Sequence, residues 1–367
     1  MKRDCIVQID IRSSSPIQPL FSALVPPQLH TGAVFQGDAA GTAYVDSREQ
    51  PQAACVLAGD ACYLAGTPSE DDLFSEVNAL LPRDHYSAIF ADARIPAEGL
   101  ERAAHGLYML PAQRRAAFLR RPPADGIPVP DGVALLPIDR SLLNGGAPGM
   151  DAVQEEIVDE WQTSDAFLER GFGTVAVFRG RIVAHSIANY IVDGACEIGI
   201  RVDSDHRRRG IGTAVAAATA REAFAQGLRA IVWHSWANNV GSIGVSRRLG
   251  FEEQVFYTVL INHWAAENIT DLSQDEFRAF GEEYERLFSE CPPSETGYPY
   301  VVAATAWACA QDRARCLTNL YRAIDMGWLT SIGQLRGFWP ELFLDPGLPE
   351  RVPEWGTLFA RLTSHEE

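Results

Sequence analysis

The pattern of hydrophobic and polar positions changes its period several times after residue 133. Short stretches rich in Val, Ile and Ala indicate β-strands, and longer stretches with apolar residues three or four positions apart indicate helices. The predicted strands are "VALLPI", "GTVAVF", "RIVAHSIANYIV", "ACEIGIRV", "RAIVWHSW" and "FEEQVFYTVLI". The predicted helices cover residues 150–171, about 210–226 and 238–250. This order predicts an α/β (α+β) fold with a mixed, mostly antiparallel sheet flanked by helices.

Glycine-containing dipeptides separate several of these elements. Arg179-Gly180 and Asp193-Gly194 each lie between two predicted strands, as is typical of tight hairpin turns. Gly227 follows the second predicted helix and suits its left-handed C-terminal cap. These signals predict three consecutive antiparallel strands and then a capped helix.

The chain on either side of this region has a different pattern. Residues 1–120 contain the predicted strands "TAYVDS", "AACVLAG" and "ACYLAG" and the predicted helices "SEDDLFSEVNALL" and "PAQRRAAFLR", which indicates a smaller α+β domain without a recognisable chemical site. Residues 121–132 are rich in proline and glycine and are predicted to form a linker. Residues 133–264 are then the central domain, and residues 265–367 form a helical domain.

Within the helical tail, the spacing of small and apolar residues resembles a single tetratricopeptide-type helical hairpin. The residues that carry this resemblance are Ala304, Ala308, Leu317, Leu320, Tyr321, Ala323 and Gly327, followed by an aromatic, proline-containing stretch from Leu335 onward. One such repeat cannot bury its own apolar face, so we expect it to pack against other helices of the chain.

Composition narrows the classes of function. The formal net charge is −17 over 367 residues, and residues 265–367 carry −9 of it, so nucleic acid is excluded as a partner. No apolar stretch reaches the about 18 residues of a membrane span, and the first residues do not resemble a signal peptide, so we expect a soluble cytoplasmic protein without a membrane partner. Seven cysteines without a C-x-x-C pair argue against a disulfide framework and against a zinc site.

One basic stretch stands out in this acidic chain. "RVDSDHRRRGIGTAV", residues 201–215, joins a predicted strand to a predicted helix through a polar turn. The first turn of a helix has unpaired N–H donors and attracts anions, and Gly210 and Gly212 would let a phosphate approach the backbone. The neighbouring arginines supply positive charge. The sequence therefore predicts a phosphate-binding turn.

The turn contains the pattern R/Q-x-x-G-x-G/A as Arg207-Arg208-Arg209-Gly210-Ile211-Gly212, which resembles the acetyl-CoA pyrophosphate loop of the GNAT superfamily of acetyltransferases. Residues 238–251, "NNVGSIGVSRRLGF", resemble the next conserved element of that superfamily, and the order of strands and helices over residues 133–262 agrees. The chain is most similar to a bacterial branch with an extra N-terminal domain that looks like a degenerate second copy of the fold. Residues 1–120 contain no phosphate turn, so we expect them to bind no cofactor and to contribute structure or acceptor walls.

The resemblance implies where acetyl-CoA would bind. The end of the strand would pair with the pantetheine arm, the turn would wrap the pyrophosphate, and the start of the following short helix would contact the arm. The implied residues are Ile200, Arg201, Val202, Arg207, Arg208, Arg209, Gly210, Ile211, Gly212, Thr213, Asn239 and Ser242. Asn239 and Ser242 could equally cap the short helix, because Asn and Ser are favoured N-cap residues.

The resemblance also implies catalytic positions. Relatives place a tyrosine acid where this chain has Ser246, and a serine hydroxyl is a poorer proton donor, so water, Tyr190 or Tyr257 could take its place. Some relatives have a glutamate general base at about the position of Glu197; the alternative is a structural ion pair of Glu197 with Arg181 or Arg201.

Three histidines could move a proton near this site: His185, His206 and His234. His206 most simply adds charge to the turn. His234 and Trp233 are adjacent on one strand and must face opposite sides of the sheet, so one of them is a core residue and the other could touch the acceptor.

The sequence thus predicts an N-acetyltransferase that moves an acetyl group from acetyl-CoA to an amine by direct attack on the thioester, with no metal. The acceptor would be a small molecule or a peptide, and a cationic one suits the acidic chain; an antibiotic, a polyamine, an amino acid and a protein terminus remain open. The alternative is a non-catalytic acyl-CoA-binding regulatory or protein-interaction module, which the serine at position 246 favours.

Overall fold

The computed structural model describes residues 6–11, 16–67, 72–266, 271–331, 333–335 and 353–363. Twelve strands in these ranges form one sheet in the order β1-β2-β3-β4-β5-β12-β6-β11-β10-β9-β8-β7. The strands are β1 (Val7–Ile9), β2 (Thr42–Val45), β3 (Ala53–Ala58), β4 (Ala61–Gly66), β5 (Ala88–Ala91), β6 (Leu110–Leu119), β7 (Val133–Pro137), β8 (Gly173–Phe178), β9 (Arg181–Val192), β10 (Ala195–Val202), β11 (Ala230–Trp236) and β12 (Glu252–Ile261).

The helices fall before, between and after these strands. They are α1 (Gln18–Phe21), α2 (Leu29–Gln36), α3 (Asp72–Leu80), α4 (Ala97–Ala104), α5 (Arg140–Asn144), α6 (Met150–Trp161), α7 (Ser164–Arg170), α8 (Ile211–Ala225), α9 (Val240–Leu249), α10 (Gln274–Glu290), α11 (Tyr298–Cys309), α12 (Arg313–Asp325) and α13 (Pro353–Thr363). None of the helices within the described ranges is both long and apolar enough to cross a membrane.

The described chain divides into two compact units. The first comprises the described parts of Met1–Val77, Ile89–Leu100 and Gln113–Val259, and the second those of Asn78–Ala88, Glu101–Ala112 and Leu260–Glu367. Most of the predicted N-terminal domain, residues 1–120, therefore shares a unit with residues 133–259. The second unit has its own core, in which α10, α11 and α12 pack around Trp307.

The strands and turns of the central region were predicted well. All six predicted strands after residue 133 are present, and β8, β9 and β10 are antiparallel neighbours. Both predicted hairpin turns have two consecutive residues with positive φ, Arg179 and Gly180 in the first and Asp193 and Gly194 in the second. Gly227 has a φ of +87°, as expected for the cap after α8.

The predicted helix "PAQRRAAFLR" is wrong, because these residues belong to strand β6. β6 pairs antiparallel with β11, with Ala116 opposite His234, and lies between β12 and β11 in the sheet. Ala, Arg, Gln and Leu favour helices by only a few tenths of a kcal/mol per residue. Pairing with two strands and burial of Ala116 and Ala117 outweigh that preference.

The single predicted helix over residues 150–171 is also wrong. The chain leaves α6 at Gln162, whose φ is +64°, and α7 begins after Thr163, whose hydroxyl accepts a hydrogen bond from the N–H of Ala166 at 3.1 Å. A threonine N-cap inside an otherwise helical pattern starts a second helix.

The predicted helical hairpin of the tail corresponds to α11 and α12, which pack against each other. The chain turns between them at Gln311, whose φ is +60°, and Asp312 caps α12 by accepting from the N–H of Arg315 at 3.1 Å. The stretch that completes the tetratricopeptide resemblance, residues 336–352, lies outside the described residues. The resemblance itself stays a prediction.

Candidate active site

Strands β10 and β11 are parallel neighbours that separate after three pairs. Ala195, Cys196 and Glu197 pair with Ala230, Ile231 and Val232.

Beyond these pairs, residues 198–202 remain paired with β9 and residues 233–236 with β6, but not with each other. Backbone N–H and C=O groups are obligatory hydrogen-bonding groups, so the two facing edges offer donors and acceptors to a ligand. The separation forms a wedge-shaped opening in this part of the sheet.

The turn between β10 and α8 lies at the wide end of this opening. Arg208 and Gly210 both have positive φ, +62° and +83°. Ala214 is the first residue whose N–H reaches a helical carbonyl, that of Gly210 at 3.0 Å, so the N–H groups of residues 211–213 have no acceptor within the helix. Gly210 is the N-cap and has no side chain to occupy these donors. The turn therefore presents several N–H groups at the positive end of a helix dipole.

The arginines of the turn differ in their contacts. The Nε of Arg207 donates to the carbonyl of Val202 at 3.2 Å, which ties the turn to the end of β10. The guanidinium of Arg209 lies 5.0 Å from the ring centre of Phe178, and His206 meets the same ring edge-on. Arg208 is exposed. His206 thus packs on the same ring as Arg209, and its role in the turn stays a prediction.

At the start of α9, Asn239 and Ser242 have defined structural roles. The Asn239 Oδ1 accepts from the N–H of Ser242 at 2.9 Å and caps the helix. The Ser242 hydroxyl accepts from the indole Nε1 of Trp233 at 2.7 Å. Trp233 is therefore the core residue of the adjacent pair on β11, and contact of Asn239 and Ser242 with a cofactor stays a prediction.

Ser246 on α9 is buried, and its hydroxyl both donates and accepts a hydrogen bond. It donates to the carbonyl of Ile243 at 3.1 Å and accepts from Nη1 of Arg115 at 3.3 Å. The Arg115 side chain from β6 is 1% exposed, and its Nε and Nη2 make no hydrogen bond to the described residues. Burial lowers the pKa of Arg115, and Arg247 adds to the effect. Sequence reasoning missed Arg115 because it had assigned this stretch to a helix.

Glu197 and its neighbours lie on the opposite face of the sheet. Ile198 points into the core beneath α8, so by alternation Glu197 points away from that helix. Its Oε2 lies 3.9 Å from Nε2 of His234, whose Nδ1 is 2.8 Å from the hydroxyl of Tyr257. The side chains of Glu197 and His234 are 19% and 3% exposed.

Burial sets the protonation of this pair. Desolvation raises the pKa of Glu197 to about 7, Arg114 opposes the shift, and Glu160 adds to it. Desolvation also lowers the pKa of His234 to about 3, so the imidazole is neutral near pH 7. A half-ionised carboxyl beside a neutral imidazole can accept a proton at physiological pH.

Glu197 forms no ion pair with Arg181 or Arg201, which was the alternative role predicted from the sequence. Arg181 lies 3.6 Å from Asp203, and Arg201 lies 3.9 Å from Glu155 on α6. His185, the remaining histidine considered from the sequence, is buried and lies 2.6 Å from Glu156.

Residues of the N-terminal part, which were expected to contribute structure or acceptor walls, pack against β9 through side chains that the sequence did not identify. The ring of His30 on α2 stacks on Tyr190 of β9, with centroids 4.4 Å apart, and its Nδ1 is 3.1 Å from the hydroxyl of Tyr63. Tyr190 bonds to Glu160 of α6, which also accepts from Nδ2 of Asn189 at 3.2 Å. No local pattern marks these residues, since they come from segments far apart in the chain.

Comparisons with known proteins identify the family and the fold of this region. The GNAT acetyltransferase family model matches residues 29–260. No curated protein sequence matches the chain. A GCN5-related N-acetyltransferase-like protein from Streptococcus suis is 21% identical, covers 66% of this chain and 94% of its own, and has a TM-score of 0.51, so it shares the fold.

Two further structures have TM-scores of 0.46. A GCN5-related N-acetyltransferase from Sphaerobacter thermophilus is 15% identical over 71% of this chain and 96% of its own. A tandem GNAT protein from the clavulanic acid biosynthesis pathway, determined without AcCoA, is 16% identical over 70% of this chain and 97% of its own. The family match spans more than half of the chain and includes the segment in which β10 and β11 separate. The chain therefore belongs to the GNAT acetyltransferase family.

Proposed function

We propose that this acetyltransferase moves the acetyl group of acetyl-CoA to an amine of a small molecule or peptide. One observation carries the proposal: β10 and β11 lose their pairing after Glu197 and Val232, and the unpaired end of β10 leads into the turn that presents the N–H groups at the start of α8. A phosphate-bearing ligand with a polar arm matches both features, because the arm can pair with a free strand edge and the phosphates can bind at the helix start.

The residues present fit such a ligand. A Cβ at Gly212 would lie 3.1 Å from Cγ2 of Val202, so the backbone there is already close to the strand end and a side chain would crowd it. Gly210 adopts a φ that a side chain would strain. The pyrophosphate would be held by Arg207, Arg208, Arg209, Gly210, Ile211, Gly212 and Thr213. The pantetheine would be held by the backbone of Ile200, Arg201 and Val202, with Asn239 and Ser242 at the start of α9.

Acetyl-CoA supplies a thioester, and the chain's own residues prepare the amine. Glu197 accepts the amine proton, which an amine near pKa 10 must lose before it can attack. The neutral nitrogen then bonds to the acetyl carbon, the carbon–sulfur bond breaks with its electron pair remaining on sulfur, and the nitrogen loses its second proton to solvent. A backbone N–H on the free edge of β10 would polarise the acetyl oxygen. His234 is neutral and lies 3.9 Å from Glu197, so it places no competing positive charge beside the carboxylate.

Ser246 is a poor candidate for the acid that protonates the thiolate. Its own proton already bonds to the carbonyl of Ile243. A thiolate leaves without full protonation, so solvent can supply the proton. The buried guanidinium of Arg115, bonded to Ser246, adds positive charge in this layer.

Release of free thiol from acetyl-CoA tests the proposal. The panel contains an aminoglycoside, a polyamine, an amino acid and a peptide with a free N-terminus, and mass spectrometry identifies the acetylated product. We expect thiol release that depends on the amine and equals the N-acetyl product formed. Binding of CoA without any amine-dependent turnover would instead identify an acyl-CoA-binding module.

A further inference from the structure

We infer that the acceptor carries a second cationic nitrogen, which binds at Glu160 and Tyr190 while the reacting nitrogen lies at Glu197. This inference rests on the proposed function, because it names the class of amine used at the same site. Its basis is a row of three neighbouring side chains on the face of the sheet opposite α8, namely Glu160, Tyr190 and Glu197.

Two carboxyl groups flank one tyrosine in this row. Tyr190 on β9 is the direct partner of Glu197 on β10, and side chains opposite each other in an antiparallel pair are on the same face. The Tyr190 hydroxyl bonds to Glu160. A linear molecule with a nitrogen at each end can therefore lie along the tyrosine and reach both carboxyl groups.

The charges around the row favour a cation at its Glu160 end. The ionisable neighbours that act on Glu160 are Glu156 and Asp159, both acidic, and burial is the main cause that raises its pKa to about 7. The pKa of Glu197 is raised to the same value. Two carboxyl groups that resist ionisation when unoccupied become favourable anions once a dication lies between them.

The imidazole of His234 lies beside the Glu197 end of this row. Its side chain is 3% exposed, its Nε2 lies 3.9 Å from Oε2 of Glu197, and the ring also has a hydrogen bond with the backbone of Pro27. Because burial lowers its pKa to about 3, the ring is neutral near pH 7 and does not repel a cation at Glu197.

The N-terminal segment gives this row a neutral aromatic wall. α2 lies so close to β9 that a Cβ at Gly32 would be 2.6 Å from Cγ1 of Val192, and this approach places His30 on the ring of Tyr190. Desolvation lowers the pKa of His30 to about 4, so it does not repel a cation near pH 7. Aromatic rings beside a carboxylate favour ammonium groups.

The other acceptor class to weigh is an amine that carries a carboxylate. Arg114 is the cation that acts on Glu197, and its guanidinium lies 4.9 Å from the ring centre of Trp236 and 5.9 Å from that of Phe90. Arg114 lies on the β11 side of Glu197, whereas Glu160 lies on the β9 side. Because two carboxyl groups and only one arginine of the described residues act here, the site favours a diamine over an amine that carries a carboxylate.

The experiment compares straight-chain diamines with monoamines of equal length in the full-length protein. We expect kcat/KM to favour the diamine by about tenfold or more, because hydrogen bonds to charged groups contribute on that scale. Glu160→Gln should bring the ratio close to one by raising KM for the diamine, with little change in kcat. Tyr190→Phe, which keeps the ring and removes the hydroxyl that holds Glu160, should lower the ratio in part.

Asp151→Asn is the matched control, since it removes one exposed charge from the first turn of the same helix, away from Glu160, and should keep the diamine preference. Equal rates for diamines and monoamines, or a preference for amino acids, would overturn the inference and leave the proposed function intact. An unchanged ratio in a folded Glu160→Gln protein would also overturn it. If no amine is acetylated although CoA binds, both the inference and the proposed function fail.

Discussion

The carboxyl group of Glu197 lies where β10 separates from β11, on the face that also carries His234 and Tyr190. Its position follows from strand alternation, which could be predicted, but its surroundings could not. The imidazole that faces it and the second carboxyl group that raises its pKa come from other strands and helices. Spacing within "ACEIGIRV" contains no information about them.

Replacing Glu197 tests its role as the base. Glu197→Gln should lower kcat/KM by about 10²-fold near pH 7, a typical contribution of a general base, and leave CoA affinity unchanged. In the wild type, kcat/KM should rise as pH increases through about 7, because the carboxylate forms there. The variant should lack this rise and recover only at higher pH, where the amine loses its proton unaided. Glu169→Gln, an exposed change of the same kind, is the control; wild-type turnover in Glu197→Gln would exclude Glu197 from the mechanism.

The raised pKa of Glu160 predicts a pH-dependent stability effect. Because the folded pKa, about 7, exceeds the ordinary value of 4.5, this group favours the folded state below pH 4.5 and loses that contribution as pH rises through 7. Glu160→Gln should therefore increase the melting temperature relative to wild type more at about pH 8 than at about pH 5. Thermal unfolding at both pH values measures this. An equal difference at both values would show that the carboxyl group is not desolvated in solution.

At the scale of elements, the start of α9 allows a test of whether Asn239 caps the helix or contacts the cofactor. Asn239 caps the helix through its bond to the N–H of Ser242. Asn239→Ala should lower the free energy of unfolding by about 1 kcal/mol, and Asn239→Ser should restore most of it. Denaturant titration gives these values. If alanine leaves stability unchanged while weakening CoA binding, Asn239 acts as a ligand and its cap is dispensable.

Elements differ in how far the sequence predicts them. β8, β9 and β10 were predicted because their alternation is bounded by turn dipeptides, and α8 because its cap glycines flank an apolar stretch. β6 was mispredicted because its composition favours a helix and its pairing partners lie more than 100 positions later in the chain. The break between α6 and α7 depends on one capping threonine within a continuous amphipathic pattern.

At the scale of the whole molecule, most of the part before the predicted linker belongs to the same compact unit as residues 121–259. β6 lies between β11 and β12, and α2 packs on β9. A protein that starts at residue 121 should lose its cooperative thermal transition, because β11 and β12 would each have an unpaired central edge. Circular dichroism on heating tests this against the full chain. A cooperative transition in the shortened protein would show that the two parts fold independently.

The two sides of the candidate site also differ in predictability. The proposed cofactor side consists of one continuous turn and the strands next to it, so its prediction could rest on a short motif. The acceptor side combines α2, β4, α6, β9 and β11, and its residues become neighbours only through the order of strands in the sheet. A single sequence contains no local signal for such a combination.

The central claim is that the turn before α8 binds CoA, and calorimetric titration of CoA tests it most directly. Gly210→Glu places a negative side chain at the N-terminus of α8, where the phosphates would bind, and should abolish measurable binding. Gly227→Glu is the control, since Gly227 has a similar φ of +87° with nothing within 4 Å of an added Cβ, so it imposes comparable backbone strain at the opposite end of α8. We predict wild-type affinity in Gly227→Glu and none in a folded Gly210→Glu protein. Equal CoA affinity in both variants would contradict the account.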